Sequence, residues 1–146
     1  MTPAFEDALT WLRYAEEDLE AARAVLSVPE VVARHPAWLA PQAAEKAVKA
    51  MLIARDLPFP KTHDLERLAA LLSETGRPLE ADADLATLTE YAVGPRYPGD
   101  LPDEVSGADA AEAVDMAERV VRAARAALAS DREPGDREPG DRRERR

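Results

Sequence analysis

Apolar residues recur every three or four positions in several segments of this chain, and no segment alternates convincingly with a period of two. Glycine and proline residues separate these segments and mark where helices must end. Aromatic residues make up only 5% of the sequence, so the core must consist mainly of Ala, Leu and Val. This composition favours closely packed helices over a sheet, in which β-branched and aromatic side chains are enriched. We therefore predict an all-α protein, an up-and-down bundle of four main helices plus one shorter helix.

The ends of the predicted helices follow from capping residues and from helix breakers. Thr2 is the expected N-cap of the first helix, with Pro3 at its first position, and Ser106 is the expected N-cap of the last helix. The predicted helices cover, in order, about 3–27, 38–56, 62–74, 82–92 and 106–130.

The C-terminal segment differs in composition from the rest. Residues 131–146 contain a near-exact duplication, Asp131–Gly135 followed by Asp136–Gly140, and no large apolar residue. Such a segment cannot bury a core, so we predict a helical domain over 1–130 and a disordered charged tail over 131–146. Acids and arginines are equal in number within the tail, so the helical domain carries the whole net charge of −10. A domain this acidic is a poor general binder of nucleic-acid backbones.

Several classes of protein are excluded or disfavoured by what the sequence lacks. There is no cysteine, so disulfides, thiol catalysis and Cys-ligated metals are excluded. No apolar run approaches the ~20 residues of a membrane span, and the N-terminus does not resemble a signal peptide, so we expect a cytoplasmic protein without membrane contact. No Glu-x-x-His pair and no Gly-rich phosphate loop are present, and we expect neither a metal nor a cofactor.

The predicted second helix has two unlike faces. Small apolar residues lie on one arc, and Gln42, Glu45, Lys46 and Lys49 lie on the opposite arc. Glu45 and Lys49 have the favourable i,i+4 order for an ion pair. We interpret Lys46 and Lys49 first as part of an ion-paired surface, solvated or facing a second subunit. The alternative is a small basic patch for nucleotide phosphates.

Two further segments contain particular polar residues. His63 lies where the predicted third helix starts, and we interpret it as ordering that loop and packing on the second helix. Alternatively, it meets Arg96 across the bundle and binds a nucleotide or RNA phosphate. Arg96 and Tyr97 belong to a Gly/Pro-rich loop that can present a side chain rigidly. Arg96 is expected either to pair with a carboxylate or to recognise a phosphate or a partner, and Tyr97 either to pack or to stack.

The order and spacing of these segments resemble a known family. The resemblance extends over roughly residues 4–129 and is to the HEPN family (higher eukaryotes and prokaryotes nucleotide-binding domain). It implies a helical bundle that commonly dimerises and acts as the partner of a minimal nucleotidyltransferase, as a metal-independent ribonuclease, or as a nucleotide-binding or assembly module. The segments that resemble the family are Ala15–Leu19, Gln42–Ala50, Thr62–Leu65, Leu88–Val93 and Arg96–Pro98, before a final Ala/Val-rich helix.

The ribonuclease members carry an Arg followed four to six residues later by His. The two histidines here, His35 and His63, have no Arg at that distance before them, and no His follows Arg96. We therefore assign no catalytic residue and expect a HEPN-type partner of a nucleotidyltransferase, dimeric and able to bind a nucleotide, in a toxin–antitoxin-like context. The alternatives are a ribonuclease toxin that uses Arg96 with His63 from elsewhere in the dimer, or a purely structural helical dimer. The candidate nucleotide- or phosphate-binding residues are Lys46, Lys49, His63, Arg96 and Tyr97.

Overall fold

The computed structural model of the protein describes residues 1–93 and 105–132, and within these ranges the chain forms five α-helices and no strand. The predicted all-α bundle is confirmed. The three long helices are the first, second and fifth, and the two between them have nine residues each. The helices are α1 (Pro3–Leu26), α2 (Arg34–Ala54), α3 (Leu65–Ser73), α4 (Leu85–Val93) and α5 (Gly107–Arg132).

Side-chain caps start four of these helices, and at α4 the cap is Asp84, whose Oδ1 accepts from Thr87 N at 3.1 Å. Thr2 Oγ1 accepts a hydrogen bond of 3.1 Å from a backbone amide of the first turn, as predicted. Ser106 Oγ accepts from Asp109 N at 3.0 Å while Asp109 Oδ2 accepts from Ser106 N at 3.1 Å, a reciprocal capping box at the start of α5. Asp64 Oδ1 caps α3 by accepting from a backbone amide at 3.2 Å. Because Asp64 is the N-cap, α3 begins at Leu65, later than predicted, and His63 remains in the preceding loop.

Helix α2 is the centre of the bundle, because it contacts each of the other four helices. Alanines line much of its surface and let the neighbouring backbones approach closely. The prediction of a solvated or subunit-facing polar arc was therefore wrong for Glu45, which is only 8% exposed. The fully buried alanines of α2 are Ala37, Ala40, Ala43, Ala44, Ala47 and Ala50.

Helix α5 extends through Asp131 and Arg132, two residues beyond the predicted end of the helical domain. The predicted disordered tail otherwise falls on residues 133–146, which lie outside the described residues, as do Arg96 and Tyr97. Within the part of the chain that the structure describes, no helix is long and apolar enough to cross a membrane.

Candidate functional site

The buried carboxylate of Glu45 organises the candidate site. Its Oε1 lies 2.6 Å from Nδ1 of His63, and its Oε2 lies 3.3 Å from Nζ of Lys49. An ionised carboxylate can only accept hydrogen bonds, so Nδ1 of His63 carries the proton in this contact. In the neutral ring Nε2 is then the acceptor. The contact therefore fixes both the orientation and the tautomer of the imidazole.

His63 is the most exposed member of this group, with 53% of its side chain accessible against 11% for Glu45. The loop that carries it is held by hydrogen bonds on the C-terminal side of the histidine. Thr62 Oγ1 accepts from Asp64 N at 3.1 Å, and Leu65 N donates to Thr89 Oγ1 of α4 at 3.1 Å. The ring is thus held against α2 by Glu45 while part of it faces solvent.

Lys49 is enclosed between aromatic rings. Its ammonium nitrogen lies 5.6 Å from the ring centroid of Phe59 and 6.0 Å from that of Trp11, and its side chain is only 12% exposed. Contacts of this kind between a cation and aromatic faces are each worth about 0.5–1 kcal/mol or more when desolvated. Together with the predicted ion pair to Glu45, they hold the Lys49 charge inside the fold.

Lys46 points to a different partner. Its ammonium group pairs with the carboxylate of Asp18 on α1, and both side chains are about three-quarters buried. The structure therefore brings Lys49 and His63 together on Glu45, and it pairs Lys46 with a separate carboxylate. Arg96 and Tyr97, the other two candidate residues, lie outside the described residues.

Sequence reasoning identified the Glu45–Lys49 pair but missed the central position of Glu45. A signal was present, because the residues on both sides of Glu45 in the helix are mostly alanine and valine. A charged residue within such a segment has little solvated surface near it. The aromatic residues around Lys49 are distant in sequence, and nothing in the helical pattern linked them to it.

A second feature is an open apolar groove where α1 is joined to α2. Its volume is about 280 Å³, and exposed Val28 and Val32 belong to the same connection. The groove is lined by Val25, Val31, His35, Trp38 and Leu39.

The chain matches a known protein family over most of its length. The model of the HEPN domain matches residues 8–127, most of the chain. This protein belongs to the HEPN domain family. The membership confirms the family resemblance.

One solved structure also resembles the chain. It is the crystal structure of TT1696 from Thermus thermophilus, which is 25% identical in sequence and superposes with a TM-score of 0.64. The match covers 82% of this chain and 97% of that protein. None of the curated proteins matches the sequence.

Among residues 1–93 and 105–132, no group of three or more His, Cys, Asp or Glu side chains could hold a metal ion.

Proposed function

We propose that this HEPN module forms a homodimer and acts as the protein partner of a minimal nucleotidyltransferase, in a toxin–antitoxin-like context, and that it binds a nucleotide phosphate near His63. The observation that carries the interaction role is the pairing of both candidate lysines within the fold. Lys46 is neutralised by Asp18 and Lys49 by Glu45. Because these charges are already compensated, the two lysines should bind phosphate only weakly by themselves. Their arrangement therefore favours binding to a protein.

The nucleotide component rests on His63 and on the segment after α4. Thr89 of α4 accepts a hydrogen bond from Leu65 N, two residues after His63, and α4 ends at Val93. Arg96 follows only three residues later, a length of chain that spans at most about 11 Å when extended. In the proposed site, the guanidinium of Arg96 would bind the phosphate and the ring of Tyr97 would stack on the base, both beside the exposed edge of His63.

Calorimetry with ATP and AMP tests this component. His63→Ala should weaken the binding of both nucleotides, whereas His35→Ala, the matched change at the other histidine, should leave their affinities unchanged. Absence of binding by the unmodified protein at millimolar nucleotide would remove this part of the proposal. The partner role is tested by co-expression with a small nucleotidyltransferase encoded beside the gene, and separate elution of the two proteins in size-exclusion chromatography would contradict it.

The homodimer is supported by the apolar groove between α1 and α2. Two copies that each carry a charge of −10 repel one another over most of their surface. Between residues 24 and 42, however, Glu30 is the only acid and Arg34 is the only basic residue of the Lys and Arg type, since the preceding Arg23 already pairs with Asp115 and Glu118 of α5. A second copy seated on this nearly neutral apolar surface meets the least repulsion.

Light scattering coupled to size-exclusion chromatography tests the dimer and its interface. Val32, 54% exposed, can be changed to Asp without disturbing the core. Val32→Asp should yield a monomer, and Val93→Asp, an equally exposed valine at the end of α4, should not. A monomeric unmodified protein, or a dimer that tolerates Val32→Asp, would refute this interface.

The Glu45–His63 contact also favours a second candidate function, a metal-independent ribonuclease. A carboxylate on Nδ1 leaves Nε2 able to accept the proton of a ribose 2′-hydroxyl, and Arg96 would stabilise the phosphate charge. Cleavage of RNA in the presence of EDTA, abolished by His63→Ala and by Arg96→Ala, would establish this activity. RNA that stays intact would exclude it.

A further inference from the structure

Two arginines converge on one carboxylate at the end of the bundle where α2 and α5 terminate. Arg55, the C-cap of α2, lies with Nε 3.8 Å from Oδ2 of Asp131, in the last turn of α5. Arg77, in the connection after α3, donates a hydrogen bond from Nη2 to Asp131 Oδ1. Arg55 Nη1 also donates to the backbone oxygen of Arg77 at 2.7 Å. The three groups form one cluster, here called the Arg55–Arg77–Asp131 cluster.

The backbone at the end of α2 holds Arg55 in place. Asp56 has a φ of 55°, the left-handed conformation in which many helices end. Leu57 N then donates to Leu52 O at 2.9 Å and closes the helix. The arginine side chain is only 9% exposed, and that of Asp131 is 12% exposed.

Two buried polar atoms of the cluster lack a hydrogen bond within the part of the chain that the structure describes. Neither Arg55 Nε nor Asp131 Oδ2 has a hydrogen-bond partner among the described residues, since 3.8 Å is too long for one. Burial lowers the pKa of the Arg55 guanidinium, the charge of Arg77 lowers it further, and Asp131 opposes both effects. Two guanidinium groups facing one carboxylate leave an excess positive charge in an otherwise acidic protein.

Asp131 is also a poorly held partner. A carboxylate in the last turn of a helix is disfavoured by the negative end of the helix dipole. Within the described residues, only Arg132 follows it in α5, so few backbone hydrogen bonds there oppose its departure. The two arginines therefore hold a carboxylate that the helix dipole disfavours at this position.

We propose that Arg55 and Arg77 form an anion-binding site that the protein's own Asp131 occupies, and that a phosphate group competes with Asp131 for it. Phosphate offers more acceptor oxygens than a carboxylate and can take paired hydrogen bonds from a guanidinium fork. When phosphate binds, the last turn of α5 detaches and the free Nε of Arg55 gains an acceptor. This site is separate from the His63 region and does not depend on the function proposed above.

Calorimetric titration with inorganic phosphate, at ionic strength held constant with NaCl, tests the competition. If Asp131 occupies the site about nine-tenths of the time, its removal should tighten phosphate binding about ten-fold. We expect this gain in Asp131→Asn and its loss in the double variant Asp131→Asn/Arg77→Gln. Asp115→Asn is the matched control, because Asp115 is also on α5 and pairs with an arginine, Arg23, at 3.6 Å.

The source of the phosphate is distinguished by AMP and adenosine. Tighter binding of AMP than of inorganic phosphate indicates a nucleotide ligand, equal binding indicates free phosphate, and equal binding of adenosine and AMP overturns the proposal. These ligands are compared in the His63→Ala background, which lacks the nucleotide site proposed near His63, and the gain of about ten-fold from Asp131→Asn should persist in that background. Phosphate affinity that is the same in the unmodified protein and in Asp131→Asn, or that survives Arg77→Gln in the double variant, also overturns it.

Amide hydrogen exchange gives an independent test that does not require the Asp131 variant to fold. Phosphate should accelerate exchange of the last turn of α5 at residues 128–132 in the unmodified protein. Arg77→Gln, a change at a side chain that is 52% exposed, should abolish that acceleration. Unchanged exchange in the presence of phosphate would contradict the competition between phosphate and Asp131.

Discussion

The charge of Glu45 should contribute measurably to stability, and Glu45→Gln isolates that charge because the amide keeps the size and one acceptor oxygen. In a fully buried pair, loss of one charge costs about 3–5 kcal/mol, and in an exposed pair about 0–1 kcal/mol. Glu45 and Lys49 are 11% and 12% exposed, close to the buried limit. The aromatic faces around Lys49 continue to stabilise its charge, by about 0.5–1 kcal/mol each. We therefore expect the free energy of unfolding to fall by about 2 kcal/mol.

Urea denaturation followed by far-UV circular dichroism measures this loss, and a thermal scan should show a midpoint lower by about 4–8 °C. Glu16→Gln is the matched control, because Glu16 pairs with Arg125 at 2.8 Å but the two side chains are 38% and 55% exposed. That control should change stability by less than about 0.5 kcal/mol. In a double-mutant cycle with Lys49→Met, the coupling energy between Glu45 and Lys49 should account for most of the stability lost in Glu45→Gln. If Glu45→Gln is no less stable than Glu16→Gln, the reasoning about a buried ion pair is refuted.

Three further predictions concern the fold. Asp56→Gly should raise the free energy of unfolding by about 0.5–1 kcal/mol, since glycine adopts the φ of 55° without strain; an unchanged urea midpoint would contradict this. Leu68→Ala should lower the free energy of unfolding by about 2–5 kcal/mol, because Leu68 is fully buried and its truncation leaves a cavity. A thermal midpoint shifted by less than about 2 °C would contradict this expectation. Hydrogen bonds from Thr87 hold the pKa of Asp84 below its usual value of 3.8, so its stabilising effect is present at neutral pH and disappears as the pH falls through the lowered value. The difference in urea midpoint between the unmodified protein and Asp84→Ala should consequently narrow from about pH 7 to about pH 3, and a constant difference would contradict the link to ionisation.

The helical ends show how far local rules extend. Thr2 and Ser106 cap their helices as predicted, because an N-cap requires only a side-chain oxygen and a backbone amide a few residues away. The start of α3 was misplaced by a few residues because Thr62, His63 and Asp64 are consecutive polar residues, and Asp64 is the one whose oxygen reaches the first turn. Both outcomes are decided within one helical turn.

The Glu45 cluster required information that no local rule contains. Spacing along α2 predicted the Glu45–Lys49 pair, since residues four apart lie on the same helix face. It did not predict that this face is covered, because coverage depends on where the loop with His63 and the aromatic rings of Trp11 and Phe59 are brought by the packing of other elements.

The sequence by itself determined the all-α class, the approximate helix boundaries and the HEPN family, because helical periodicity, caps and the order of segments are properties of the chain read along its length. Only the tertiary structure decided which charges are buried and with what they pair. Lys46 contacts Asp18 on another helix, and Asp131 lies between Arg55 and Arg77 although sequence reasoning assigned it to a solvated tail. The physical reason is that the energy of a charge depends on its solvent exposure and on its nearest opposite charge. Both are set by the packing of segments that are far apart in the sequence.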